Sequence, residues 1–215
     1  MVTPTPTPTL EICFESSDRL FRSLAEALVD IQHDGTARSQ FAMTLCTISI
    51  EHGIGQRVLL SIDNVASAIA LLRMQFEAVT RALWLHFSAS DERVGKLAEL
   101  IISRSLIEPP NAPSMKEMLE ALAKSAPPAI SKMLSDLKAG AWGPLNSYVH
   151  GGIHPLMQSH HGYSPSYAIQ TLRNANGLAT MAAMLMAVLS GDPSVTNRVR
   201  EIQLAHLDCL PPLAV

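Results

Sequence analysis

The sequence is poor in cysteine and in charge, and both shortages exclude classes of protein. Its three cysteines, Cys13, Cys46 and Cys209, lie far apart and form no CxxC spacing, which argues against a disulfide scaffold or a cysteine-based zinc site. Charged residues make up only 16% of the chain and the formal net charge is −3, so a globally basic coat for nucleic acid is excluded. Hydrophobic residues reach 47%, which excludes disorder for most of the chain.

Long hydrophobic segments are absent as well. The longest apolar run extends from Leu178 to Leu189 and is interrupted only by Thr180. As a helix it would measure about 18 Å against a bilayer core of about 30 Å, so it predicts a buried helix rather than a membrane span. The first residues have neither the basic region nor the apolar core of a signal peptide. We therefore expect a cytoplasmic protein with no membrane partner.

Helix-forming residues dominate what remains. Alanine and leucine together outnumber valine and isoleucine by about two to one, and no stretch alternates with the period of a β-strand. Start and stop signals predict helices over about 16–32, 37–50, 62–87, 91–104, 114–123, 127–140, 164–191 and 192–207. The strongest periodic signal is an apolar stripe in the third of these, formed by Val65, Ile69, Leu72, Phe76, Val79, Leu83 and Phe87. The sequence thus predicts a single all-α domain, a helical bundle of seven to eight helices over residues 11–210, with tails over 1–10 (Thr-Pro repeats) and 211–215.

An ionic line on the third predicted helix is the first candidate site. Arg73, Glu77 and Arg81 are each four residues apart, which places them on one line of the helix surface. Glu77 can pair with either arginine, so that the other keeps donors for a carboxylate or phosphate. Three interpretations stay open at this point: a polar functional pocket, a structural ion network and a solvent-exposed face.

The segment from Leu145 to Pro155 contains the second candidate site. Asn146 and His150 are four residues apart and share a face if the chain is helical up to Gly151. His150 would then lie in the last turn of that helix. A histidine in this position can act as a general acid or base, or it can simply cap the helix end.

A metal site is a weaker alternative for the same region, which contains His150, His154, His160 and His161. Two glycines and a proline interrupt the helix that would align the first two, and no acidic residue lies among the four, so we expect no metal. Glycine-rich phosphate loops, the GxSxG elbow and the HExxH motif are missing from the sequence. We expect no cofactor either.

Two segments carry a resemblance to known proteins. Residues 71–85 (LLRMQFEAVTRALWL) and 146–152 (NSYVHGG), in an all-helical setting, resemble a group of uncharacterised bacterial helical proteins that is distantly similar to the HEPN superfamily, which includes abortive-infection and toxin proteins. The resemblance implies a HEPN-like bundle, a homodimer, and metal-independent RNA cleavage by a histidine and an arginine. His150 matches the histidine of the motif, whereas Pro144 and Leu145 occupy the positions of its arginine.

The leading hypothesis is therefore a metal-independent endoribonuclease of a phage-defence or toxin system, with RNA as substrate and a cognate antitoxin or defence-system protein as partner. In this hypothesis His150 transfers the proton, while Arg73 and Arg81 stabilise the phosphate. Glu77 orients an arginine, and Asn146 holds the phosphate or the histidine. The alternative is a non-enzymatic binding or scaffold module in which these residues form a structural network or bind a small anionic ligand. A metal-dependent enzyme using the histidine cluster stands lower.

Overall fold

The computed structural model describes residues 9–104 and 112–212, and within these ranges the chain forms helices and no strand. The bundle consists of nine α-helices followed by one 3-10 turn. They are α1 Leu10–Ala27, α2 Ala37–Ser61, α3 Val65–Phe87, α4 Asp91–Ile102, α5 Met115–Ser125, α6 Pro128–Val149, α7 Ile153–His161, α8 Pro165–Leu189, α9 Pro193–Ala205 and the 3-10 turn Leu207–Cys209. The predicted all-α class is confirmed.

Capping side chains set where most of these helices begin. Ser114 and Glu117 form the capping box that the sequence predicts for α5. Ser164 and Asp192 accept hydrogen bonds from the first turns of α8 and α9, each ahead of a proline at the first helical position. Thr9 caps α1 in the same way, and α1 therefore begins six residues earlier than predicted.

Helix α3 lies at the centre of the packing, in contact with α2, α5, α6 and α8. The predicted apolar stripe is buried along most of its length, from Val65 to Leu83, and only Phe87 at its end is half-buried. Helix α8, which contains the long apolar run, is buried on most of its circumference. Among the residues that the structure describes, no helix is both long and apolar enough to cross a membrane.

Two predicted helix ends are wrong, because the glycines concerned lie inside helices. Helix α2 continues through Gly53 to Ser61. The absence of a side chain at Gly53 lets α3 approach α2 closely, because a Cβ there would stand 2.9 Å from the Gln75 side-chain nitrogen. Helix α6 continues through Gly140 to Val149. Glycine thus marks close packing at one of these positions and an open surface at the other, where a Cβ would meet nothing within 4 Å.

The described residues form nine α-helices where the sequence predicts seven to eight, because the sequence gives no signal for α7. Pro155 is the third residue of α7, where the backbone N–H has no partner within the helix and proline is tolerated. The turn before α7 depends on Gly151, which has a φ of +63°. It is closed by Ser147, whose hydroxyl accepts a hydrogen bond of 3.1 Å from the backbone N–H of His154.

The predicted tails extend partly beyond the described residues. Residues 1–8 and 213–215 lie outside the ranges that the structure describes, as do residues 105–111. Within the second predicted tail, Pro211 packs against α8: a Cβ on Gly177 would stand 2.9 Å from its ring. The bundle therefore extends at least to this proline.

A buried amide network joins three of the central helices. The side chain of Gln75 on α3 donates a hydrogen bond of 2.9 Å to the Ala175 carbonyl on α8 and accepts one of 2.7 Å from Gln56 on α2. Both glutamines have no exposed surface. Because buried amides need partners, this network fixes the relative positions of α2, α3 and α8.

Replacing Gln75 with methionine keeps the side-chain length but removes the hydrogen bonds to Gln56 and to the Ala175 carbonyl, so that the Gln56 amide keeps its bond of 3.2 Å to the His52 carbonyl and loses the other. We expect the free energy of unfolding, measured by urea denaturation, to fall by about 1–3 kcal/mol. Gln40→Met, on the exposed face of α2, is the matched control and should change it by less than about 0.5 kcal/mol. Equal effects of the two variants would contradict the assigned role.

Candidate functional site

Three of the predicted site residues meet where α3 crosses α6. The Arg73 guanidinium donates from Nε to Glu77 Oε1 at 2.7 Å and from Nη1 to Asn146 Oδ1 at 2.7 Å. Its Nη2 lies 2.6 Å from the same Glu77 oxygen. Two of the five N–H donors of this arginine are therefore hydrogen-bonded, and a third nitrogen is in ion-pair contact with Glu77.

Trp142 completes this group, which we call the Arg73 clamp (Arg73, Glu77, Trp142 and Asn146). The guanidinium carbon lies 3.6 Å from the centroid of the indole ring, and Phe76 meets the same ring edge-on at 5.8 Å. Only 15% of the Arg73 side chain is exposed. A cation stacked on an aromatic face and paired with a carboxylate stabilises helix packing, so the clamp holds α6 against α3.

The sequence did contain a signal for Trp142 that was not used. It stands four residues before Asn146, so a helix through this segment places both side chains on one face. The predicted helix over 127–140 ends at Gly140, before both Trp142 and Asn146, and so gives no reason to pair them. The contact between the two candidate segments through Arg73 and Asn146 could not be derived from the spacing.

Arg81 lies away from the clamp. Residues 73 and 76 of α3 contact residues 146 and 142 of α6 respectively, so the two helices run antiparallel. Arg81 is exposed and lies two turns beyond Arg73, about 12 Å along α3 towards the beginning of α6. The structure therefore does not bring Arg81 to Asn146 or to the end of α6.

His150 lies at the other end of the clamp, as the C-cap of α6. Its backbone N–H donates to the Asn146 carbonyl at 3.2 Å, and its side chain is exposed. In the described part of the chain, no hydrogen bond joins its imidazole to Arg73. It lies about 6 Å beyond Asn146 along the α6 axis, so His150 and Arg81 are separated by about 18 Å along the two helices.

The four neighbouring histidines form no metal-binding group of three within residues 9–104 and 112–212; the group that meets the distance criterion is His206, Asp208 and Cys209, whose ligand atoms lie within 4.8 Å. Burial raises the pKa of the Cys209 thiol to about 12. This thiol therefore keeps its proton at neutral pH and donates to the His206 carbonyl at 3.4 Å. A metal ion would have to displace that proton before it could bind the sulfur.

A large concave surface lies elsewhere, between α6 and α8. Both helices pack against α3 but not closely against each other, and the groove between them has a volume of about 780 Å³. Its floor includes Leu72 of α3, and its walls are mainly apolar, with Ile130, Met133 and Leu137 from α6 and Met181, Met184 and Val188 from α8. We call this surface the α6/α8 groove.

The rim of the groove exposes apolar side chains to solvent. Met133 is 38% exposed, Val188 is 44% exposed, and Leu207 of the 3-10 turn is 44% exposed. A single ion pair between Lys132 and Asp136, 2.8 Å apart, accompanies them on α6. Clustered exposed apolar side chains around an unfilled groove are typical of a binding surface.

The clamp makes a prediction about stability. Glu77→Ala removes the carboxylate that pairs with the mostly buried Arg73 guanidinium, so we expect the free energy of unfolding in urea to fall by about 1–3 kcal/mol. The control is Arg81→Ala on the same line of the same helix, which should change it by less than about 0.5 kcal/mol because this side chain is exposed. If Arg81→Ala proved as costly as Glu77→Ala, the clamp would not be the stabilising unit.

Comparison with known proteins gives a family but no activity. No curated protein and no solved structure matches the chain. Residues 46–212 match the model of a family of unknown function, DUF6988. That description names no activity and no link to the HEPN superfamily. The matched region extends from the middle of α2 to the end of the described residues, and it includes the clamp and the groove. The chain therefore belongs to the DUF6988 family.

Proposed function

We propose that the protein is a non-enzymatic helical binding module, and that its α6/α8 groove takes an amphipathic helix of a partner. The observation that carries this proposal is the unfilled apolar groove of about 780 Å³ between two helices that both pack on α3. Grooves of this kind receive the apolar face of a helix in many protein complexes. Flexible methionine side chains, such as Met133 and Met184 here, adapt readily to such a face.

In this proposal the Arg73 clamp has a positioning role. It fastens the second half of α6 to α3 through Arg73, Trp142 and Asn146. Since α6 is one wall of the groove, the clamp holds that wall at a fixed distance from α8. The polar network is then structural, as in the non-enzymatic alternative drawn from the sequence.

Filling the groove tests the proposal. Gly140 lines the groove, and a side chain added there would meet nothing within 4 Å. Gly140→Leu should place its side chain in the groove without backbone strain. We expect it to reduce the fluorescence enhancement of the apolar probe 8-anilinonaphthalene-1-sulfonate several-fold, in a titration at the lowest usable protein concentration.

Gly143→Leu is the matched control for this experiment. Gly143 lies on the same helix, also has open space at its Cβ position, and does not line the groove. Because Gly143 precedes Pro144, where an added side chain disfavours helical backbone, circular dichroism must show equal helix content before a difference in probe binding is assigned to the groove. Equal probe binding by the two variants would contradict the proposed binding surface.

We retain as a second candidate the metal-independent endoribonuclease of a phage-defence or toxin system, acting in the cytoplasm on RNA. One observation favours it: Asn146 and His150 are both exposed, one turn apart, and Asn146 contacts Arg73. An imidazole there could remove the proton of a ribose 2′-hydroxyl, whose oxygen attacks the adjacent phosphate and displaces the 5′-oxygen. A cognate antitoxin or other defence-system protein would be its partner.

The ribonuclease candidate has a direct test. Purified protein is incubated with a mixed-sequence RNA in excess chelator, and cleavage is followed on a gel. Catalysis by His150 predicts that His150→Ala loses at least about 100-fold in rate, while His154→Ala, an exposed histidine four residues further on, keeps the activity. An uncut RNA in every reaction would reject this candidate.

A further inference from the structure

The groove side of α6 carries charges of both signs in a symmetric arrangement. Ala129, Lys132, Met133, Asp136 and Gly140 all line the groove. Lys132 and Asp136 are each 54% exposed, and they stand on either side of the middle of this line. Two small residues, Ala129 and Gly140, lie at similar distances before and after this pair, and the lining continues along α6 to Leu145.

We propose that the occupant of the groove is α6 of a second copy of this chain, related by a two-fold axis; this inference rests on the proposed function of the groove. In an antiparallel contact centred near residue 134, Lys132 faces Asp136 of the second copy and Asp136 faces its Lys132. Ala129 faces Gly140 of the second copy. A two-fold interface requires this reciprocity, because each residue pair occurs twice with its members exchanged.

Two features favour a second copy over an unrelated helix. The first is that the groove line is complementary in charge to itself in the antiparallel direction, so one surface supplies both partners. The second is the order of Lys132 and Asp136 within α6. A lysine four residues before an acidic residue is the less favourable order for a pair within one helix, so both charges gain from a partner on another helix. Pairing across the interface adds a second partner to each charge and covers the exposed Met133 and Val188.

The small residues before and after this pair decide how closely the two helices can approach. Neither Ala129 nor Gly140 extends a side chain beyond a methyl group, and Gly140 has open space at its Cβ position. Two helices that cross over small residues can bring their backbones close together. Gly140→Leu should therefore weaken self-association as well as block the probe.

Charge reversal tests the proposal. The mass of the full chain is measured by light scattering after size-exclusion chromatography over a range of concentrations. We expect a dimer for the native chain. Lys132→Asp and Asp136→Lys should each raise the dimer dissociation constant by about tenfold or more, because each creates two like-charge contacts. The double variant K132D/D136K exchanges the charges in both copies and should restore the native value.

Lys116→Asp on α5 is the matched control. Lys116 pairs with Glu120 in the same order and at the same spacing, is also exposed, and does not line the groove. It should leave the dissociation constant unchanged. Circular dichroism verifies that all variants remain helical.

The possible failures are distinguishable. A native chain that stays monomeric at every concentration overturns the two-fold contact, as does a dimer that neither single reversal weakens. If Gly140→Leu still blocks the probe in that case, the groove remains the binding surface and only its occupant is wrong. If Gly140→Leu leaves the fluorescence enhancement of the probe unchanged, the proposed function itself fails, whatever molar mass is measured for the chain. If the contact is as proposed, α6 of the second copy occupies the groove and excludes the probe. Probe fluorescence per chain then falls as the fraction of dimer rises.

Discussion

The burial of α3 constrains where its long polar side chains, Gln75 and Arg73, can find partners. Four helices surround it, so an unpaired amide or guanidinium would lose its hydration with no compensation. Gln75 meets this constraint through α2 and α8, and Arg73 meets it through Glu77 and Asn146. The polar groups of α3 therefore also fix the positions of its neighbours, because each satisfied group needs its partner helix at one distance.

The groove follows from the same arrangement. Helices α6 and α8 both pack against α3, but the residues that hold them, Trp142 and Asn146 on α6 and Ala175 on α8, face α3 rather than each other. Among the described residues the two helices make few direct contacts with each other, so the space between them stays open and mainly apolar. A surface of this kind is stable in a single chain only at the cost of exposing methionine and valine to water, which favours a partner that covers them.

The sequence predicted the helical class and most helix starts, because caps and periodicity are local properties. The stripe from Val65 to Leu83 was read correctly for this reason. The helix ends near Gly53 and Gly140 were not, since the local sequence does not separate a glycine inside a helix, closely packed at Gly53 and open at Gly140, from one that stops a helix. In the same way, Arg73 and Asn146 could each be selected as candidates, but their contact depends on the antiparallel packing of α3 and α6, and no spacing along the chain encodes it.

The position of the proposed two-fold axis is compatible with a binding module but not with an endoribonuclease site shared between two copies. Glu77 neutralises Arg73 within the clamp, so a catalytic site at this place would need positive charge from elsewhere to attract a phosphate. Arg81 of the same chain is too far along α3 to supply it, and Lys138, whose ammonium lies 5.7 Å from the Trp142 ring centroid, stands twelve residues before His150 on α6. A second copy packed through α6 does not supply it either: with the axis near residue 134, each His150 lies sixteen residues away, about 24 Å along the helix and on opposite sides. The two ends of α6 that carry Asn146 and His150 then point apart. The proposed self-association through the groove would therefore fit a binding module, and an endoribonuclease site shared between two copies would require a different interface.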